Sequence, residues 1–407
     1  MTKPDKTILF LLPAAFVQNS AEPGFQVHTR NFRTVFGFLL PELRQRRMEV
    51  VLVSLNNTTR QMESGRAYLR ETGFDKAVRA FFFRRQMKRG QWLHQSIQFF
   101  LNMGLLVRVL LKTRPVVVYG YNDVGTFYGA FLKAFFRYRL VYDMRGDRVN
   151  EITVQGAPAW RVWLYRLIRN FCVRSCDLVF TVSRTFEEIP LNKRHLPKFN
   201  FIDGRRFFYD AGAAENMRKQ LGLEGRFVFV YSGTDKYYQM VPAMVAFFSR
   251  FLEICPDAFF MINTPVRSEV FETELKRHHI PASAYRMFSP DQENLNHYQM
   301  VADMAFLLRE DLPLNHRAFP TKFSEYMGSG LPVLTTPHVH TVAEMVRDHS
   351  LGEIWDLQVP VEEIQDRILS YRNNRAAREK CAAFAAEHLL WQTKTPWLAG
   401  VLQSMHP

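Results

Sequence analysis

Short, unbroken apolar runs recur along the chain, separated by longer stretches in which apolar residues return every three or four positions. Ile8–Leu12, Val50–Ser54, Val116–Tyr119, Leu140–Tyr142 and Leu178–Val182 fall in the first half. Phe227–Tyr231, Phe259–Asn263, Met304–Leu308 and Val333–Thr335 fall in the second. A strand buried on both faces reads as a continuous apolar run, and alternation with helical stretches builds parallel sheets between layers of helices. The pattern predicts an α/β chain of two consecutive units of about 200 residues each. The joint is expected near residues 199–206, FNFIDGRR. The tail reads as helical from about Val361, with Trp391 and Trp397 placed to pack back rather than fray.

The 407 residues, 47% hydrophobic and 23% charged, have the composition of a globular protein able to bury large cores. The apolar run from Ile8 to Phe16 reads as a first strand rather than a leader. The region from Phe99 to Leu111 contains Asn102, Gly104 and Arg108, and falls short of the ~20 apolar residues a membrane span needs. Four cysteines, at 172, 176, 255 and 381, suit a reducing compartment, and the twelve histidines show no metal-ligand spacing.

Charge is distributed unevenly. Residues 1–200 hold 32 Lys and Arg against 14 Asp and Glu, whereas residues 201–407 hold 21 against 25. The first half therefore carries +18 and the second −4, so the first half faces something anionic. The segment DKAVRAFFFRRQMKRGQW, residues 75–92, interleaves Phe81, Phe82, Phe83 and Trp92 with six basic residues. It reads as an amphipathic segment that lies in an anionic membrane interface, or as a helix whose Phe face is core.

Chemistry concentrates in FPTKFSEYMGSGLPVLTT, residues 319–336. Thr321, beside Pro320, stands at the N-cap or in the first turn of a helix, where free N–H groups and the helix dipole attract anions. Lys322 adds a positive charge, and Glu325 lies one turn on along the same face. A carboxylate there can accept from two neighbouring sugar hydroxyls. Gly328 and Gly330 end the helix, Pro332 blocks its return, and Val333–Thr335 is the next strand. Phosphate at the helix start with ribose on the acid is one reading; an ordinary capped helix is the other.

The run PTKFSEYMGSGLPV resembles the donor-binding motif of retaining glycosyltransferases of the GT-B fold, family 4 in particular. Weaker similarity extends over most of the chain: FVYSGTDKYYQ (229–239) resembles the first strand and loop of the donor domain, VADMAFLLRE (301–310) the strand before the motif, CDLVFTVS (176–183) the last strand of the acceptor domain, and LVYDMRGD (140–147) an Asp-x-Arg-Gly turn. The resemblance implies two Rossmann-like domains facing across a cleft. They are an acceptor domain over 1–203 and a nucleotide-sugar domain over 204–385, with a helical segment, 386–407, returning to the first domain. It implies donor contacts from Gly233, Lys236, Arg309, Thr321, Lys322 and Glu325. Gly24, Arg30 and Arg145 are the expected acceptor contacts, and Asp143 and Lys236 the expected catalytic groups. Many family members carry a second glutamate eight residues before the ribose-binding one; here that position is Arg317.

The implied activity is transfer of a sugar from a nucleotide-diphosphate sugar to a lipid-linked or polysaccharide acceptor, with retention, no bound metal and no other cofactor. The expected setting is cytoplasmic, peripheral to the inner face of the plasma membrane. An epimerase or phosphorylase of the same fold, and a non-catalytic relative, are the alternatives within it. A nucleic-acid-binding protein is the alternative outside it, and no reading module supports that class.

Overall fold

The computed structural model describes residues 6–12, 36–84, 92–184, 186, 189–190, 192–265, 267–291 and 293–405. The chain divides into two compact units, residues 1–198 with 394–407, and residues 199–393.

The first unit is built on a seven-stranded sheet: β1 (Lys6–Leu12), β2 (Met48–Asn57), β3 (Val78–Arg84), β4 (Val117–Tyr121), β5 (Arg139–Met144), β6 (Leu178–Thr181) and β7 (His195–Pro197). Its spatial order is β3-β2-β1-β4-β5-β6-β7, and every pairing is parallel. The second unit repeats the plan with β8 (Val228–Ser232), β9 (Phe259–Asn263), β10 (Tyr285–Phe288), β11 (Met304–Leu307), β12 (Val333–Thr335) and β13 (Gly352–Ile354). Its order is β10-β9-β8-β11-β12-β13, again all parallel. Both sheets reverse winding beside their first strand, the doubly wound order in which ligands gather beyond the carboxyl ends of the strands at the reversal.

The central strands β8, β9, β11 and β12 are buried throughout, which is why they read as unbroken apolar runs. Phenylalanine dominates the second unit's core. Phe229 of β8 stacks on Phe306 of β11 with ring centroids 4.8 Å apart, and Phe247, Phe248 and Phe251 of helix Val241–Ile254 close over them. Each such ring contributes roughly 1.5–3 kcal/mol by leaving water. Within the first unit the tail is tied down: Arg46 Nη1 donates to Gln403 Oε1 at 2.8 Å, and Trp397 meets Phe180 at 6.0 Å.

The nine expected strands are present, with ends shifted by up to three residues. Four more are short or polar. One of them, β3, corrects the reading of residues 75–92 as a membrane segment or core-facing helix. Over 78–84 the chain is an edge strand paired with β2, and Phe83 is buried in the core. Arg79 pairs with Glu49, and Arg66 lies over the Phe82 ring at 6.0 Å. Exposed cations such as Arg79 and Arg84 are how an edge strand avoids further pairing. Residues 85–91 of that segment lie outside the described residues. No helix among the described residues is long and apolar enough to cross a membrane.

Candidate functional site

The candidate site is built on helix Thr321–Gly328 and on the loops after β8 and β11, the two strands that flank the reversal in the second sheet. The helix has Pro320 as its N-cap and Thr321 as its first residue, and no side chain caps it, so its leading N–H groups are left for an anion. Buried contacts fix its position. Ser324 Oγ donates to Asn200 O at 2.6 Å, and Tyr326 Oη accepts from Ser232 N–H, at the end of β8, at 2.9 Å. The helix runs through Gly328, and the turn after Ser329 is completed by Gly330 at φ +67°, with the Tyr209 ring against it. No other residue type takes that conformation as easily.

Two cations converge beside this helix start. Lys322 Nζ donates to Tyr231 Oη at 2.8 Å and to Gln239 Oε1 at 2.9 Å, and lies 4.1 Å from the centre of the Tyr231 ring. Arg309, which follows β11, is 4% exposed, with its guanidinium over the Tyr238 ring at 5.8 Å. Its backbone is clipped to the neighbouring strand: Arg309 N–H donates to Thr336 Oγ1 at 3.0 Å, and that hydroxyl donates back to Arg309 O at 2.7 Å. Among the described residues no carboxylate bonds to either side chain, and Glu310 is turned out to solvent. Burial depresses the Lys322 pKa well below the ordinary lysine value, the Arg309 charge depresses it further, and Glu325 opposes both. The Arg309 pKa is also lowered, by burial first, with Tyr231, Tyr238 and Tyr326 opposing. Buried cations are ordinarily neutralised by a partner. Arg309, buried, and Lys322, partly exposed, have neutral hydrogen-bond partners and repel one another at a helix start, which suits the place to an anion.

Gly233 completes the cradle. It follows β8 with φ +146°, and a Cβ on it would run into Cε and Nζ of Lys322. The backbone conformation is what favours glycine here, and any side chain would displace the Lys322 tip. Glu325 is partly exposed, one turn beyond the cations, and Thr321 is exposed at the helix start. Lys236 is exposed at the head of the turn Tyr237–Gln239, with no ion pair among the described residues. Gly233, Arg309, Thr321, Lys322 and Glu325 therefore gather at one sheet edge, with Lys236 on the loop beside them. Sequence reasoning missed Tyr231, Tyr238, Gln239 and Thr336. Three of them lie in the quoted run FVYSGTDKYYQ, but nothing in spacing marks which tyrosine meets a cation.

The first-unit residues behave differently. Asp143, expected near an acceptor, is 2% exposed in β5. Its Oδ2 accepts from Tyr119 Oη at 2.7 Å and pairs with Lys198 Nζ at 2.9 Å, itself buried. The arrangement makes Asp143 the counter-ion of a buried lysine rather than a group presented to a substrate. Arg145 is partly exposed, with its guanidinium over Tyr121 at 5.8 Å. Gly24 and Arg30 lie outside the described residues. Arg317 is partly exposed just past the short helix Pro313–His316. One grouping was invisible to spacing: Asp311, His316 and His338 have ligand atoms within 4.8 Å of one another, because the loops after β11 and β12 meet. The four cysteines are all buried and free, and burial pushes the Cys176 thiol up to about 11.

No family model matches the sequence, and no curated protein matches it. Solved structures do. HepE from Anabaena, in complex with UDP, superposes with a TM-score of 0.69 at 15% identity over 98% of this chain and 100% of that one. Sucrose-phosphate synthase from Thermosynechococcus elongatus gives 0.68 at 13% over 98% of each chain. WaaG, a glycosyltransferase involved in lipopolysaccharide biosynthesis, gives 0.60 at 14% over 97% of this chain and 99% of that one. The fold is GT-B. At these identities the likeness establishes architecture over the whole chain, and the chemistry rests on the residues just described.

Proposed function

We propose that this GT-B protein is a glycosyltransferase that takes a nucleotide-diphosphate sugar as donor. The observation that carries the reading is the pair of the buried Arg309 and the partly exposed Lys322, neither bonded to a carboxylate, at the start of helix Thr321–Gly328. A diphosphate supplies the missing charge, with the helix N–H groups as further donors. Glu325, one turn on, takes the ribose hydroxyls. As the glycosidic bond breaks, negative charge grows on the departing diphosphate, where fixed cations are worth most. Lys322, Arg309 and the exposed Lys236 fill the role a metal plays elsewhere, so no metal is assigned. Complexes of HepE with UDP and with UDP-glucose support the donor class.

The finer reading is ours as well. Transfer proceeds with retention to a lipid-linked or polysaccharide acceptor held by the basic domain, through Arg145 with Gly24 and Arg30, in cell-surface polysaccharide or glycolipid assembly. Residues 1–198 with 394–407 form the acceptor domain and 199–393 the donor domain, the last helix, Trp391–Ser404, being the returning segment. The enzyme works at the cytoplasmic face of the plasma membrane as a peripheral protein. WaaG, with its place in lipopolysaccharide biosynthesis, supports that setting.

The test is calorimetric titration of the protein with UDP, GDP, ADP and CMP and their sugars, followed by product analysis. One nucleotide family binds, and Glu325→Ala and Lys322→Met each abolish the heat. Binding unaffected by either substitution, or by none of the nucleotides, rejects the proposal. Release of the free epimerised sugar nucleotide, with no transfer, assigns the fold to the epimerase class instead.

A further inference from the structure

We infer that the outer face of three helices in the first unit is a docking surface for an anionic bilayer; the inference rests on the membrane setting proposed above but places it on residues outside 75–92. Helices ordinarily turn apolar stripes inward and polar residues to water. Helix Trp92–Thr113 does the reverse on its outer side, where Ile97, Phe100, Leu101, Leu105 and Leu111 are all exposed. Helix Ala159–Ser175 repeats the anomaly at helical spacing with Trp160, Trp163, Leu167 and Phe171. Between them, helix Asn122–Leu132 and the turn after it present Phe131 and Phe135.

Partly buried Phe99 and Phe127 link the exposed rings of Phe100, Phe131, Phe135 and Phe171. Phe131 meets Phe99 at 6.0 Å and Phe135 at 6.5 Å, while Phe127 bridges Phe99 at 5.7 Å and Phe171 at 5.7 Å. Phe100, Phe135 and Trp163 are 69%, 74% and 60% exposed. At roughly 150–250 Å² per ring side chain, those three alone leave on the order of 400 Å² of mostly apolar surface, as much as the largest patch of an ordinary monomer.

Charge decides what covers it. Arg108 and Lys112 rise from the first helix, and Arg161, Arg166 and Arg174 from the third; all are exposed, and none is in an ion pair with a described residue. The three helices contain a single acid, Asp123, which is bonded to Tyr142. On the third helix, Arg166, Asn170 and Arg174 also line an open cavity of about 440 Å³ with Arg169 and Asn150 and no carboxylate, a seat for a phosphate group. Aromatic rings at headgroup depth beside long cations that reach phosphate are the composition of an interfacial surface. A protein partner with an apolar face has no use for five unpaired cations around it.

Co-sedimentation with vesicles tests the surface. The full chain is mixed with vesicles of phosphatidylcholine alone, or with one third phosphatidylglycerol. It pellets with the anionic vesicles and stays in solution with the neutral ones. Phe100→Ser with Phe135→Ser and Trp163→Ser releases it at unchanged melting temperature. Arg166→Ser with Arg174→Ser, which leaves the rings in place, weakens partitioning by roughly tenfold or more. Failure of the wild type to pellet overturns the inference, as does full retention by either variant. So does light scattering that shows a dimer lost in the triple variant, since a second copy then covers the face. Nucleotide titration without vesicles reads the donor site separately, so loss of one result leaves the other standing.

Discussion

Lys322 is the residue on which most of the chemistry turns, and its depressed pKa gives a signed prediction. Phosphate favours the charged ammonium, so the pKa rises when a nucleotide diphosphate binds. Between the free and bound values the complex holds one more proton, and affinity falls as pH rises through that window. Titrations of the wild type in buffers of different ionisation enthalpy will show proton uptake on binding; equal heats in all buffers would mean that Lys322 is already charged. Lys198 is depressed too, to about 8 from 10.5, by burial against the pull of Asp143. The unfolded chain then binds more protons across that interval, so this group makes folding stability climb between about pH 8 and 10.5. Lys198→Met removes the slope and, by stranding the Asp143 carboxylate, costs about 3–5 kcal/mol in denaturant unfolding. Adding Asp143→Asn recovers most of it. Recovery by the second substitution is what separates a structural pair from a catalytic acid.

At the scale of elements, helix Thr321–Gly328 was legible from end to end. Pro320, the polar first turn, Gly330 and Pro332 are local signals whose physics needs no tertiary context, and the strand behind the helix has the bounds its apolar run predicts. The pairing of Tyr326 with Ser232 was not legible, because 94 residues separate them and only the parallel crossover brings them together. Tyr326→Phe leaves that buried N–H without an acceptor and costs about 1–3 kcal/mol of stability, measured by thermal or chemical unfolding. Gly233→Ala puts a methyl group against Lys322 and asks alanine for φ +146°. It lowers nucleotide affinity by roughly tenfold or more, each tenfold being 1.4 kcal/mol; unchanged affinity would show that the loop relaxes freely. Segment 75–92 misled because three consecutive phenylalanines carry no period. Helix and edge strand both accommodate FFF, and pairing with β2 decided between them.

For the whole molecule, continuous apolar strands announced two parallel α/β units, and both sheets proved to share one winding order. The order itself is not written in any window of sequence, since it depends on which strands cross over. The short strands β7, β10 and β13 escaped notice for a related reason: they are half-buried edge or near-edge strands with three or four residues each. Charge asymmetry pointed to the basic half, yet the surface that uses it lies on helices whose apolar outer faces resemble a core stripe until burial is known. The Phe-rich core of the second unit predicts strong cooperativity. Phe229→Ala removes a ring that touches five others and costs about 3–5 kcal/mol in that unit's unfolding transition.

The central claim is that a nucleotide diphosphate neutralises Lys322 and Arg309 at the start of helix Thr321–Gly328. Isothermal titration of the wild-type chain and of Lys322→Met with UDP and GDP measures this most directly. The account predicts saturable binding of one of them to the wild type, weakened by rising salt and absent in the variant, with the variant's melting temperature at least as high because a half-buried, repelled charge is gone. Equal affinity of both proteins, or no binding to the wild type at any salt concentration, would contradict it.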